Sequence, residues 1–380
     1  MKCVFITDFM KKEKQGSQLL ANAHYQTLCE LCNENNVYVV AFGRNFEIKK
    51  GLRYLNIEMD DSLLGKILNI LARRPFFCSK KMFVQIVEYV EDIKPDLIFF
   101  DNCCMGSIVK WCALHYPQIP RVVFCHGIYA NSERQIMKRK PIKNKAKYFP
   151  VYNNILLNEK MSVLNSSAYV VLNERDNEML KKYYGKESDF ILPIYFEDTA
   201  KIKHTATSDN YFELLFVGSY FWPNIEGLKW FVINVMPFLN DNVVLKIVGR
   251  GMEKLEELSE FKSESIEILG EVEQLDDVYN SANLVIGPIF SGDGMKTKTA
   301  EAMMYGKVYL GTSEAFCGYE GMDEYCCETA DEFIGKINDY YSFGTNKYDQ
   351  KIKDVFLRKY STEMAREKIK QVFRFIGVDE

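Results

Sequence analysis

Residues 283–306 read NLVIGPIFSGDGMKTKTAEAMMYG. The run Asn283 to Gly287 is short, apolar and closed by Gly-Pro, which predicts a buried strand. Gly292 and Gly294 then form a turn, and Lys296 to Tyr305 carries a helical pattern that stops at Gly306. A strand that feeds a helix through a glycine turn is the repeating piece of a parallel sheet. On either side the alternation continues. Strands are expected at Glu213–Val217, Val243–Val248, Ser265–Ile268 and Val308–Leu310, with helices at Pro223–Leu239, Met252–Phe261 and Leu275–Ala282. Upstream, Glu197 to Tyr211 turns polar and loses its apolar face, so residues 196–210 are expected to link two domains. Before the linker a second alternation appears, with strands at Lys2–Thr7, Val37–Phe42, Asp96–Phe100, Arg121–Cys125, Tyr169–Leu172 and Phe190–Leu192, and a helix from Gly16 to Asn33. The expected fold class is therefore α/β: one doubly wound domain at 1–195 and another at 211–360, followed by a charged helix at 361–375 that is free to pack back on the first.

The 380 residues exceed what one core usually serves, which agrees with two domains. The net charge of −4 conceals an asymmetry: residues 1–200 hold 28 Lys+Arg against 22 Asp+Glu, while the remainder holds 20 against 30. The two halves present different fields. Eleven cysteines include the adjacent pairs Cys103–Cys104 and Cys326–Cys327 and sit mostly in apolar runs, which suits free thiols in a reducing cytoplasm better than disulfides. Cys29 and Cys32 have redox or zinc spacing but no second pair. No apolar run reaches the roughly 20 residues of a membrane span.

In open parallel sheets, ligands bind beyond the carboxyl ends of the strands, where helix amides converge. Residues just after strands therefore matter most: Gly218 and Ser219, Gly249 to Gly251, Gly270 to Val272, and Pro288 to Lys298. In the last stretch, Gly292 and Gly294 precede a helix whose unpaired amides and positive dipole end suit a pyrophosphate. Lys296 and Lys298 add mobile cations, Glu301 lies deeper in the helix where it could accept ribose hydroxyls, and Asp293 on the turn could meet a sugar. A capped helix with solvated lysines would give the same letters.

Several segments together decide between these readings. Phe216-Val-Gly-Ser219, Pro223-Asn224, Gly227-Leu-Lys-Trp-Phe231, Ile247-Val-Gly249, Leu269-Gly-Glu-Val272, Gly292-x-Gly-x-Lys-x-Lys-x-x-Glu-Ala-Met303, Gly306 and Gly311-Thr312 resemble, in that order, the nucleotide-sugar half of retaining glycosyltransferases of family 4. The first half resembles it more weakly, through Gly16, Val122-Val-Phe-Cys-His126-Gly and Val170-Val-Leu-Asn-Glu-Arg-Asp176. The resemblance implies a GT-B fold, two Rossmann-like domains facing across a cleft, with the donor held mainly by the second and the acceptor by the first. It implies that Glu301 binds ribose and that Asp293, one methylene shorter than the glutamate usual there, lies at the transferred sugar. Gly270, Glu271 and Val272 would bracket the base, and Gly292, Gly294, Met295 and Thr297 would lie along the phosphates beside Gly218 and Asn224. Lys298 or Arg250 would clamp the diphosphate, because the Arg and Lys that many relatives carry after Gly218 are not plainly present. His126 stands where the family often has a histidine facing the sugar, and Gly16, Glu133 and Arg134 would lie on the acceptor side. Gln15-Gly16 replaces two adjacent glycines common there.

The resemblance implies a sugar leaving a nucleoside diphosphate, UDP by default, for a hydroxyl of a glycan or lipid-linked glycan, with retention and the leaving phosphate taking the proton. The four histidines are scattered along the chain and there is no Asp-x-Asp, so no metal is expected. A nucleotide-sugar epimerase and a non-catalytic glycan-binding subunit are the rival readings. Residues 134 to 147 hold seven cations and no acid, and Leu63, Leu64, Ile67, Leu68 and Leu71 form a helical apolar face near Lys66, Arg73 and Arg74. That pattern suits an anionic membrane surface at the inner face of the cell membrane, or equally a helix packed on the core beside a solvated basic loop. Nucleic acid is not expected, since the total charge is acidic and no recognition motif accompanies the patch.

Overall fold

Runs such as Cys3–Thr7 and Leu97–Phe100 have no polar alternation, and each becomes a strand covered on both faces. The computed structural model describes residues 1–8, 16–43, 53–59, 62–203, 211–292, 294–344 and 347–378. The chain divides into two compact units, Met1–Phe196 with Thr362–Glu380, and Glu197–Ser361.

The first unit runs β1 (Cys3–Thr7), α1 (Gly16–Cys32), β2 (Val37–Gly43), β3 (Tyr54–Glu58), α2 (Leu63–Leu71), α3 (Lys80–Ile93), β4 (Leu97–Phe100), α4 (Gly106–His115), β5 (Arg121–Phe124), α5 (Tyr129–Arg139), α6 (Ile142–Asn165), β6 (Ala168–Val171), α7 (Glu174–Tyr184) and β7 (Phe190–Ile191). Its seven strands are all parallel in the order β3-β2-β1-β4-β5-β6-β7, with Cys3 level with Val37 on one side and Leu97 on the other. The order reverses between β1 and β4, and that switch point is where a doubly wound sheet opens for a ligand.

The second unit repeats the plan with β8 (Phe212–Val217), α8 (Trp222–Asn234), β9 (Val243–Val248), β10 (Ile266–Gly270), α9 (Asp276–Ser281), β11 (Leu284–Gly287), α10 (Thr297–Met304), β12 (Tyr309–Gly311), α11 (Ala330–Phe343) and α12 (Gln350–Lys359). Its five parallel strands lie in the order β10-β9-β8-β11-β12, so the switch point falls between β8 and β11. After Ser361 the chain returns to the first unit as α13 (Thr362–Phe375), which packs on α1, where Arg366 pairs with Glu30.

Three expectations need correction. β3 has no apolar run to announce it, because it is an edge strand with only Ile57 buried. Met252–Phe261 forms two short 3₁₀ turns rather than an α-helix, burying Met252 and Leu255 at the three-residue spacing that 3₁₀ geometry eclipses. The helix after β8 ends at Asn234, and Pro237, which has no N–H to donate, sits in a separate 3₁₀ turn. Part of the 196–210 stretch is tied down: the Lys201 and Lys203 amides donate to Asp276 and Asn280 of α9, both at 2.9 Å, and 204–210 lie outside the described residues. All eleven cysteines are free thiols.

Candidate functional site

At the open end of the second sheet the strands stop in glycines. Gly218 donates its N–H to Val248 at 2.9 Å, and Gly249 to Gly270 at 2.7 Å. A Cβ on Gly249, whose φ is +137°, would lie 1.9 Å from the Gly218 oxygen. Gly227 of α8 is equally constrained, because a Cβ there would lie 1.7 Å from the Pro288 oxygen in the turn after β11. The floor of the switch point is thus bare backbone.

The Lys298 amine reaches this floor. From the first turn of α10, it donates to Asn224 Oδ1 at 2.6 Å and stands 4.6 Å from the centre of the Phe216 ring. It lies 3.0 Å from where a Cβ on Gly218 would be. Asn224, buried on α8, donates in turn to the Ser219 oxygen at 2.8 Å, which fixes its own oxygen toward the lysine. Burial, reinforced by the nearby Lys296 charge and opposed by Glu301, pushes the Lys298 amine down to about 7. Lys296 departs from its expected role. Its amine is bonded to Glu314 at 2.7 Å and to the Gly294 oxygen at 3.0 Å, so it braces the turn instead of standing as a mobile cation.

Glu301 is partly buried one turn beyond Lys298. Its charge also raises the hydroxyl pKa of Tyr279 and Tyr305, after the larger effects of burial in the first and of burial and Asp276 in the second. Gly294 and Met295 are buried in the turn, Gly292 has φ +146°, and Thr297 is the first residue of α10. Gly270 is buried with φ +64°, Glu271 is exposed and Val272 half-buried, while the Arg250 oxygen accepts the Tyr220 N–H at 2.9 Å. Asp293 lies outside the described residues.

The first unit fills the corresponding place with side chains. Asp101, directly after β4, is fully buried and accepts from His24 Nδ1 at 2.6 Å and His126 Nε2 at 2.9 Å through Oδ1, and from the Thr7 hydroxyl at 2.9 Å through Oδ2. Burial would push this carboxyl up, but the two imidazoles outweigh it and hold Asp101 at about 2. A carboxylate can only accept, so both rings turn an N–H toward it, which fixes the tautomer of each. Burial lowers His24, with Asp101 opposing. Histidines that look scattered in the chain thus converge. His24, Asp101 and Thr7 were not anticipated; Asp101 was accessible to the rule that residues just after strands matter most, since it follows β4.

Two other unanticipated side chains come from α6. Asn158 Oδ1 accepts the Ser107 N–H at the start of α4 at 3.1 Å. Glu159 accepts the Tyr129 and Ala130 amides at the start of α5 at 2.8 and 2.9 Å, and the Tyr184 hydroxyl at 2.5 Å. Burial raises Glu159, and these donors oppose it. The starts of α4 and α5 are thus met from the side by the protein's own groups. In the second unit, Phe221 and Lys296, which precede α8 and α10, provide no side-chain cap. Glu133, expected on the acceptor side, is buried in α5 and accepts the Tyr148 hydroxyl at 2.5 Å, a bond between α5 and α6; Arg134 is exposed and Gly16 opens α1.

Among the described residues, two groups bring metal-ligating atoms together: His24, Asp101 and His126, and Cys103, Cys125 and Glu159. In both groups the carboxylate oxygens already accept hydrogen bonds from N–H or O–H groups.

Two parallel sheets of this strand order, each flanked by helices, define a GT-B fold, and solved structures agree. The chain is similar to the lipopolysaccharide outer core galactosyltransferase WaaB (TM-score 0.66, 13% identity, 98% of this chain and 99% of that one). It is also similar to HepE of Anabaena in complex with UDP-glucose (TM-score 0.68, 12% identity, 98% and 99%) and to WaaG, a glycosyltransferase involved in lipopolysaccharide biosynthesis (TM-score 0.59, 15% identity, 99% and 93%). Residues 211–342 match the family described as Glycosyl transferases group 1, so the second unit carries a group 1 glycosyl transferase domain. Over 223 residues the chain is 25% identical to a Klebsiella pneumoniae protein described as an uncharacterized 44.6 kDa protein in the cps region. The match takes in 50% of this chain and spans 57% of that relative's length.

Proposed function

We propose that this protein is a glycosyltransferase of surface-polysaccharide or related glycoconjugate synthesis that moves a sugar from a nucleoside diphosphate to a hydroxyl of a glycan or lipid-linked glycan. The observation that carries the reading is the Lys298 amine held by Asn224 over the bare Gly218 floor, at the uncapped start of α10 in a group 1 domain. An amine poised near 7 gains most from an anion that favours its charged form, and the amides of α10 add partial positive charge beside it. The donor diphosphate is assigned there, with Glu301 on the ribose, Asp293 at the sugar and the 270–272 turn at the base.

The chemistry needs charge stabilisation and positioning more than covalent help. As the anomeric bond breaks, Lys298 and the α10 amides stabilise the departing diphosphate. The leaving oxygen takes the proton of an acceptor hydroxyl held on the same face, so the configuration is retained. That Lys298 supplies positive charge where the diphosphate develops its own supports transfer without a metal. His126, its ring fixed by Asp101, is assigned to a hydroxyl of the transferred sugar. UDP is the default nucleotide; the UDP complexes of HepE support it.

Calorimetric titration of the full chain with a panel of nucleoside-diphosphate sugars tests the reading. One donor should bind, and Lys298→Ala should weaken it about 100-fold, the loss expected for one desolvated charge partner, with the melting temperature little changed. Mass spectrometry of acceptor products, with the anomeric configuration read by NMR, then tests transfer and retention. Absence of binding by every donor overturns the proposal.

A further inference from the structure

The surface of the first unit carries a feature that neither its fold nor sugar transfer uses. Residues 62–87 hold five cations and no acid, and residues 134–158 hold seven cations and no acid. Folding joins them: α2 packs on α6, and Asn154 Nδ2 donates to the Arg74 oxygen at 2.8 Å. The helix α2 is seated through Gly65 and Asn69, both buried, with Asn69 bonded to the Phe76 oxygen at 3.1 Å and to Arg74 at 3.0 Å. Its other face presents Leu63, Leu64, Ile67, Leu68 and Leu71 to solvent, with Leu63 78% and Leu71 74% exposed. Scattered single leucines on a surface are ordinary; five on nine residues are not. At the start of α6, Ile142 is 86% exposed among the lysines.

Four of the cations also stand at the unfavourable ends of helices, whereas Lys138 and Arg139 lie in the last turn of α5. α3 opens with exposed Lys80 and Lys81, and α6 opens with Lys143 and Lys145, neither with an acid in its first turn. The positive end of the helix dipole disfavours cations there, so helix stability does not account for them.

We propose that α2, the start of α3 and the α5–α6 segment form a docking face for an anionic lipid bilayer, with the leucines entering the acyl boundary and the cations meeting phosphate headgroups. The occupant must offer a plane of anions with apolar material just beneath it. Nucleic acid offers the phosphates but nothing for five aliphatic side chains. A second copy related by a two-fold axis would bring one cationic face onto another. No described helix is long and apolar enough to cross a membrane, so the contact is peripheral. This assignment does not depend on the transfer reading.

Co-sedimentation of the full chain with vesicles tests it. Binding is expected to an equimolar mixture of phosphatidylcholine and phosphatidylglycerol, to weaken as salt is added, and to be absent with phosphatidylcholine alone. Lys143→Gln/Lys145→Gln/Lys147→Gln should weaken binding about 100-fold, at about fivefold per cation. Leu64→Ser/Leu68→Ser should weaken it at every salt concentration. All five positions are exposed or partly so, and unchanged melting of both variants verifies folding. Equal sedimentation with neutral vesicles, no sedimentation with anionic ones, or indifference to both variants overturns the proposal. So does a solution dimer that Leu64→Ser/Leu68→Ser abolishes, or duplex RNA binding that needs the lysines but not the leucines.

Discussion

The two units share a strand order and a switch point between their first and fourth strands, yet they treat that point in opposite ways. In the first, the space holds Asp101 with His24, His126 and Thr7 around it, and the neighbouring helix starts are met by Asn158 and Glu159 of α6. In the second, Gly218, Gly249 and Gly270 remove side chains, the residues before α8 and α10 provide no side-chain cap, and a cation is supplied. One plan thus takes two forms: an internal anion that orients a histidine, and a bare floor with a cation beside it. The topology is neutral about ligand charge, and a few side chains decide it.

The largest way to break the comparison is to put a side chain on the bare floor. Gly249→Ala sets a Cβ 1.9 Å from the Gly218 oxygen at φ +137°, and should cost the second unit about 3 kcal/mol or more. Thermal melting and limited proteolysis should show cleavage spreading through 211–361 while the first unit stays protected; uniform loss of both units would contradict it. The converse change is Asp101→Asn. The amide oxygen can still accept both imidazole N–H groups, but the negative charge is gone and an NH2 replaces the oxygen that accepts the Thr7 hydroxyl, so the first unit should lose about 3 kcal/mol, read by denaturant titration. Transfer should fall with it, while nucleotide affinity should stay within about twofold if the donor belongs to the second unit.

The smallest effect sharpens the electrostatics. Lys298 has a folded value of about 7 against an ordinary 10.5, so the folded chain holds fewer protons than the unfolded one between those values. This group's contribution to stability without ligand therefore rises with pH across that window. A diphosphate favours the charged amine, so above pH 7 binding should take up a proton and weaken as pH rises, with heats that vary with the buffer's ionisation enthalpy. Lys296→Ala should change affinity by less than about threefold, because Glu314 already holds that lysine. It should also move the midpoint upward by removing the repulsion that depresses Lys298. A pH-independent heat would refute the assignment.

Most of the fold was legible because strands buried on both faces are written as unbroken apolar runs, whereas the edge strand β3, with only Ile57 inside, leaves no such trace. The place of Lys298 at the start of α10 was legible from the glycine turn before that helix. Lys296 was misread because its partner, Glu314, is eighteen residues away and nothing local announces it. The Asp101 cluster draws on β1, α1 and the loops after β4 and β5, and its parts become one site only when the sheet places them together. Asn158 and Glu159 leave no local signal, because their role lies in holding the starts of other helices.

One helix joins two properties of the first unit. The twenty-four residues of α6, about 36 Å of helix, begin among the exposed cations and reach inward to the carboxylate that anchors the segment just after His126. Pro150, which has no N–H to give the helix ladder, sits within that span, so the cationic tip and the carboxylate behind the histidine loop share one helix but not an unbroken one.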